Sequence, residues 1–202
     1  MTIVCFGDSL TEGYQSGLES GGTGFTPYGQ WLQEWIGVRG MVWIRGVCGE
    51  ITQQMKDRFP YDVLPLHPGY VVILGGTNDL GWGLPPKTVI ENLVWMYEEA
   101  HAHGILPVGV TIPSLGGFGV RGMVSPYLQA IQARVAVNEA LKNHCDMNHF
   151  PLVDLFTATR DPQSQELVPE FSDDGLHLTT LGYRTLASLL WKQVFKPCVE
   201  KP

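Results

Sequence analysis

The chain predicts an α/β fold, a five-stranded parallel sheet held between helices in a three-layer α/β/α sandwich, and three observations carry that reading. Short apolar runs alternate with longer segments whose apolar residues recur at helical spacing, the mark of parallel βαβ units with right-handed crossovers. One run, residues 70–74 (Y-V-V-I-L), is apolar without interruption, as in a strand covered on both faces. The length of 202 residues, 44% of them hydrophobic, suffices for a sizeable core, and no low-complexity linker divides it. Residues 1–202 therefore read as a single domain. For five such units the commonest strand order is the flavodoxin-like 2-1-3-4-5.

Each element has its own signal. Residues 2–6 (T-I-V-C-F) form a strand ended by Gly7, which lets the chain bend sharply into Asp8 and Ser9. Residues 15–26 are polar and glycine-rich and read as a surface loop. Pro27 opens a helix in which Tyr28, Trp31, Leu32, Trp35 and Ile36 make one apolar stripe, stopped by Gly37 and Gly40. Residues 41–44 are the second strand, 45–49 a loop, and 50–58 a short helix before Phe59-Pro60 and a proline-broken connection. The third strand, 70–74, runs into G-G-T-N-D. Pro86 starts a helix whose stripe is Val89, Leu93, Met96, Tyr97 and Ala100, ending at Gly104. Residues 105–112 are the fourth strand and 113–126 a long glycine-containing loop. A helix over 126–143 turns Leu128, Ile131 and Val135 inward. Residues 151–155 are the fifth strand, an irregular stretch reaches Ser172, and a last helix from Thr179 buries Tyr183, Leu186, Ala187, Leu190 and Val194.

Composition narrows the partners. A net charge of -7, from 13 basic and 20 acidic residues without a basic run, argues against a nucleic-acid binder. Cys5, Cys48, Cys145 and Cys198 repeat no disulfide or zinc spacing and read as free thiols. No apolar run reaches the roughly 18 residues of a membrane span. The first strand begins too early for a signal peptide, which predicts a cytoplasmic protein, although a chain trimmed of its leader would look the same. Oligomeric state is not written in the sequence.

In a parallel sheet every strand's carboxyl end lies on one edge, and the unusual residues follow strands. Ser9 follows the first, Gly49 the second, Asn78 the third, and Asp174 and His177 the fifth, so they are expected to share one crevice. A histidine takes a proton from a serine hydroxyl when a carboxylate fixes its other ring nitrogen. Asp174, three residues before His177 on a turn containing Gly175, can fold back to do so. The Ser9 amide, the Gly49 amide and the Asn78 side chain are candidate donors to the oxygen that turns negative in acyl transfer.

Four blocks, F-G-D-S-L-T-E-G-Y at 6–14, R-G-V-C-G-E-I-T at 45–52, G-G-T-N-D at 75–79 and D-G-L-H-L-T at 174–179, resemble the SGNH (GDSL) hydrolase superfamily in identity, order and spacing. The resemblance implies Ser9 as nucleophile, His177 as general base, Asp174 as its orienter, and the Ser9 and Gly49 amides with Asn78 as oxyanion hole. It implies no cofactor and no metal. The spacing the family uses favours Asp174 over the competing Asp173. Two departures stand in the second block, Arg45 where members often carry Asn and Cys48 where they carry Ser, and they leave open how the loop around Gly49 is held.

The expectation is a serine hydrolase acting on a small-molecule carboxylic ester, with short acyl chains favoured because little chain remains for a deep acyl tunnel. Other activities of the superfamily are thioesterase, lysophospholipase and carbohydrate O-deacetylase. From another class, a non-catalytic flavodoxin-like binding module would use the same crevice, but the glycine loops follow neither G-x-G-x-x-G nor the P-loop. Asp8 and Asp79 read as turn-holding groups. His101, His103, His144 and His149 lack metal-ligand spacing. Cys48 reads as a small hydrophobe beside the crevice. Trp82, Leu84, Phe118 and Met123 are candidates to line an acyl pocket.

Overall fold

The computed structural model describes residues 1–17, 23–117 and 124–199, with all their side chains except those of 124–126. The strands are β1 (Thr2–Gly7), β2 (Tyr14–Gln15), β3 (Gly24–Phe25), β4 (Met41–Gly46), β5 (Tyr70–Leu74), β6 (Leu106–Val110) and β7 (Leu152–Val153). The α-helices are α1 (Ser9–Glu12), α2 (Tyr28–Ile36), α3 (Thr52–Asp62), α4 (Thr77–Gly81), α5 (Pro86–Ala102), α6 (Val124–Asn148), α7 (Leu155–Thr159), α8 (Thr180–Leu190) and, after a π-helical turn over Trp191–Phe195, α9 (Lys196–Val199). Five strands pair in the order β4-β1-β5-β6-β7, all parallel. Counted among themselves, these five strands stand in the expected 2-1-3-4-5 order.

Alternation along the central strands accounts for the three layers. Ile3 and Cys5 of β1, with Val72 and Leu74 of β5, face one buried cluster together with α2 and α8. Val4 and Phe6, with Val71 and Ile73, face the opposite cluster with α3 and α5. Successive side chains point to opposite faces, so a strand apolar at every position needs cover on both. The helical stripes of α2, α5 and α8 are buried at the positions their spacing predicts, with Trp31 and Trp35 only partly covered.

Five expectations change. The 15–26 segment is not simply a surface loop: its ends pair as β2 and β3, Gln15 is buried, and the Gln15 side-chain amide donates to the hydroxyls of Thr26 and Thr180. Helix α3 runs through Pro60 to Asp62. The proline sits in its last turn, where only the carbonyl of Lys56 loses a helical partner. The fourth and fifth strands are shorter than the apolar runs around them. The stretch after β7 is not wholly irregular, since Asp154 caps α7 by accepting from the Thr157 amide. Finally, α6 is longer and rotated. Its buried line is Ile131, Arg134, Asn138, Leu141 and Cys145, whereas Leu128 is 45% exposed and Val135 half-buried.

Candidate active site

The chain passes from β1 outward to β4 and returns to β5 on the other side of β1, so the direction of winding reverses between β1 and β5. Crevices at such a reversal lie beyond the strands' carboxyl ends. Ser9 stands just past β1, and Asn78 just past β5.

Ser9 begins α1 and is 4% exposed. The turn before it depends on close packing: a Cβ on Gly7 would come within 2.1 Å of the Leu74 carbonyl oxygen. Asp8 caps the helix, its Oδ1 accepting from the Leu10 amide at 2.9 Å. Among the described residues its Oδ2 is buried without a partner. Burial, then the nearby Asp79 and Glu50 carboxylates, push the Asp8 carboxyl up to about 7.

Gly49 stands at φ 80°, in the left-handed region that suits glycine. Its loop is tied down without the usual serine. The Cys48 amide donates to Glu12 Oε2 at 2.7 Å, and Asn78 Nδ2 donates to the Glu50 carbonyl oxygen at 2.8 Å. The Glu50 carboxylate meets Arg58 at 2.7 Å, and Arg58 also reaches Asp62 and donates to the carbonyls of Gly7 and Arg45. Arg58 thus joins the ends of β1 and β4 to the Gly49 loop, a role no motif announced. Asp79 is fully buried and accepts from the amide and hydroxyl of Thr52, locking α4 to the start of α3. Cys48 is exposed, and partial burial together with Glu12 pushes its thiol up to about 12, which leaves no thiolate at neutral pH.

Asp174, not Asp173, meets the histidine: its Oδ2 lies 2.7 Å from His177 Nδ1. Oδ1 accepts from the amides of Leu176 and His177 at 2.9 and 2.7 Å, and Oδ2 also accepts from the Ser16 hydroxyl at 2.6 Å. Partial burial opposes ionisation, yet these donors outweigh it and hold the Asp174 carboxyl at about 2. The Tyr14 ring stands edge-on to the imidazole at 4.6 Å between centroids. Tyr183, from α8, donates to the Tyr14 carbonyl oxygen at 2.6 Å.

All five expected residues but Asp174 line one cleft of about 280 Å³, with Tyr14, Cys48 and Leu176, and Asp174 stands behind His177. Ser9 and His177 face this cleft without a direct hydrogen bond between them. Among the described residues, the backbone N–H groups of Ser9 and Gly49 donate to no acceptor, and Asn78 keeps one amide hydrogen free of the Glu50 carbonyl. A larger pocket of about 620 Å³ adjoins, sharing Asn78 and Leu176 and walled by Leu80, Trp82, Leu115 and Arg134. Leu84 lies on a third pocket, beyond Trp82. Phe118 and Met123 lie outside the described residues. Arg134 was missed in the sequence, although a charge at the core position three residues after Ile131 was its signal.

A family model described as GDSL-like lipase/acylhydrolase matches residues 5–185. An uncharacterized lipoprotein of Bacillus subtilis, YqeF, is 35% identical over 131 residues, covering 58% of this chain and 51% of that protein. The match thus spans about half the length of that relative. A GDSL-like lipase from Bacteroides thetaiotaomicron superposes with a TM-score of 0.76 at 23% identity, covering 98% of this chain and 87% of its own. An aryl esterase of M. smegmatis gives 0.74 at 20% identity, covering 96% and 98%. At such identities these two structures bear on the fold alone. The lipoprotein overturns the cytoplasmic expectation. Targeting is decided by residues ahead of the fold, so an early first strand is no ground for a location. Among the described residues no helix is long and apolar enough to cross a membrane.

Proposed function

Because the chain belongs to the GDSL-like lipase/acylhydrolase family and is accordingly a hydrolase, we propose that it is a serine esterase that cleaves carboxylic esters of short acyl chains through an acyl-enzyme on Ser9. The observation that carries this reading is the meeting, in one cleft, of a buried serine, a carboxylate-held imidazole and three free N–H donors from different strand ends.

In this reading His177 takes the Ser9 proton on Nε2 while Asp174, hydrogen-bonded at Nδ1, fixes the ring and stabilises the imidazolium. The Ser9 oxygen attacks the ester carbonyl. The oxyanion that forms is met by the Ser9 and Gly49 amides and by the free Asn78 hydrogen. The alcohol leaves with the proton from His177, and water, deprotonated by the same ring, releases the acid. The Ser9–His177 contact is one that substrate draws tight, since catalytic hydrogen bonds are commonly long in empty sites. The small cleft supports acyl groups from acetyl to hexanoyl. The lipoprotein relative adds a location to the reading: a hydrolase held at a membrane surface by a lipid anchor.

The test pairs a fluorophosphonate label with p-nitrophenyl esters from acetate to palmitate, on wild type and Ser9→Ala. Labelling of the wild type alone, with the short esters fastest, is expected. Labelling of Ser9→Ala, or silence from both proteins, overturns the nucleophile. Fastest turnover of palmitate overturns the short-acyl assignment.

A further inference from the structure

The pocket beside the cleft bears on which ester this is, an inference that rests on the esterase reading. Its walls are mostly apolar, but Arg134 is among them. That residue sits on the buried line of α6 and is 1% exposed. Among the described residues no carboxylate pairs with it. A guanidinium carries five N–H donors, and here Nη1 donates to the Ala130 carbonyl oxygen at 3.2 Å while the buried Nε has no acceptor among the described residues. Tyr127, the titratable group that acts on it, has its hydroxyl committed to the Leu115 carbonyl at 2.7 Å. Burial draws Arg134 down to about 10, so it remains a cation at neutral pH.

Arg58 shows what a satisfied arginine looks like in this fold, with two carboxylates and two carbonyls on its guanidinium. A cation removed from water without a counter-charge is costly to the fold. Its planar fork matches a carboxylate or phosphate, and here it lines the same pocket as Asn78, which that pocket shares with the catalytic cleft.

We propose that Arg134 is an anion-recognising residue of the pocket adjoining the catalytic cleft, and that the substrate is an ester bearing a carboxylate or phosphate group near its scissile carbonyl. Matched substrates separate the possible positions of that group. With the anion on the leaving group, 4-acetoxybenzoate and 4-acetoxyphenyl phosphate are compared with methyl 4-acetoxybenzoate. With the anion on the acyl group, p-nitrophenyl hydrogen adipate is compared with its methyl ester. In at least one series the anionic member should lead in kcat/KM by about 10-fold or more, the scale of one charge-assisted hydrogen bond. That ratio should collapse in Arg134→Met and be partly kept in Arg134→Lys.

A wild type indifferent to the charge, or an Arg134→Met protein that loses both members of each pair alike, overturns the proposal. Should the variant fail to fold, benzoate and inorganic phosphate decide on the wild type: competitive inhibition of neutral-ester hydrolysis supports it, and none at high millimolar overturns it. Turnover of neutral esters without anion preference sinks this inference alone. No turnover and no fluorophosphonate label sinks the esterase reading, and this one with it.

Discussion

The two banks of the proposed catalytic cleft are built differently. On the Ser9 bank the groups are buried or partly buried and cross-braced: buried Asp79 to Thr52, partly buried Arg58 to Glu50 and to the carbonyls that end β1 and β4. On the His177 bank a surface turn is gathered onto one carboxylate, Asp174, which takes two backbone amides, a serine hydroxyl and the imidazole. The first bank inherits its geometry from the sheet and spreads it over many contacts. The second concentrates it in a single residue, so that damage there should be larger per atom removed.

The sharpest way to break that contrast is Asp174→Asn. The amide cannot serve both as acceptor for the backbone and as anionic partner of the ring, and kcat should fall about 10³–10⁴-fold, as for the equivalent loss in a serine protease triad. A fall under tenfold would mean that the His177 bank is as well braced as the other.

Next in size is Asn78→Ala on the Ser9 bank. Here one of three donors goes while the frame stays, and kcat should drop about 10²-fold with KM little changed. Steady-state kinetics on a short ester reads both numbers. An unchanged kcat removes Asn78 from the oxyanion site.

How much of this was legible before the structure follows the same divide. The strands and the placing of Ser9, Gly49 and Asn78 at their ends could be read, because apolar runs and the four blocks mark them in short local patterns, whereas the strand order came only from the commonest arrangement of five such units and the structure agrees with it. The choice of Asp174 over Asp173 could be read from family spacing, and its distance to the ring agrees. What could not be read is polar structure inside the core. On α6 the buried line includes Arg134 and Asn138, so a search for apolar periodicity chose Leu128 and Val135 instead. Asn138 is buried because it closes the chain after β6, donating to and accepting from Ile112 at 2.9 and 2.8 Å. Arg58 escaped for a like reason: its partners lie in three separate segments, and no local pattern announces them.

A smaller effect is expected from Ser16→Ala. Ser16 gives Asp174 Oδ2 a hydrogen bond from β2's far side at 2.6 Å, one of the donors that hold the carboxyl near 2. Its loss should lift that value and cost activity about threefold to tenfold, the scale of one ordinary hydrogen bond. The stability that Asp174 contributes has a definite sign. Its folded pKa lies below the ordinary carboxyl value of about 3.9, so the contribution is present above pH 4 and lost as pH falls towards 2. In Ser16→Ala that loss should set in at higher pH. Identical acid-unfolding midpoints for the two proteins would show that Ser16 adds nothing to the hub.

Asp8 offers the smallest change in turnover and the opposite slope. The folded chain holds its proton up to about pH 7, whereas the unfolded chain releases it near 3.9. Between those values the folded state binds the extra proton, so raising the pH destabilises it, by a ceiling of about 4 kcal/mol from which relaxation around the charge subtracts. Asp8→Asn keeps an acceptor for the Leu10 amide and cannot ionise. The variant's stability relative to wild type should therefore climb between pH 4 and pH 7 and level off above. Urea unfolding of both proteins across that range measures it. A difference that stays constant with pH would place the Asp8 proton elsewhere, and would mean that the Ser9 bank tolerates a buried, half-partnered carboxylate as easily as the His177 bank holds its fully partnered one.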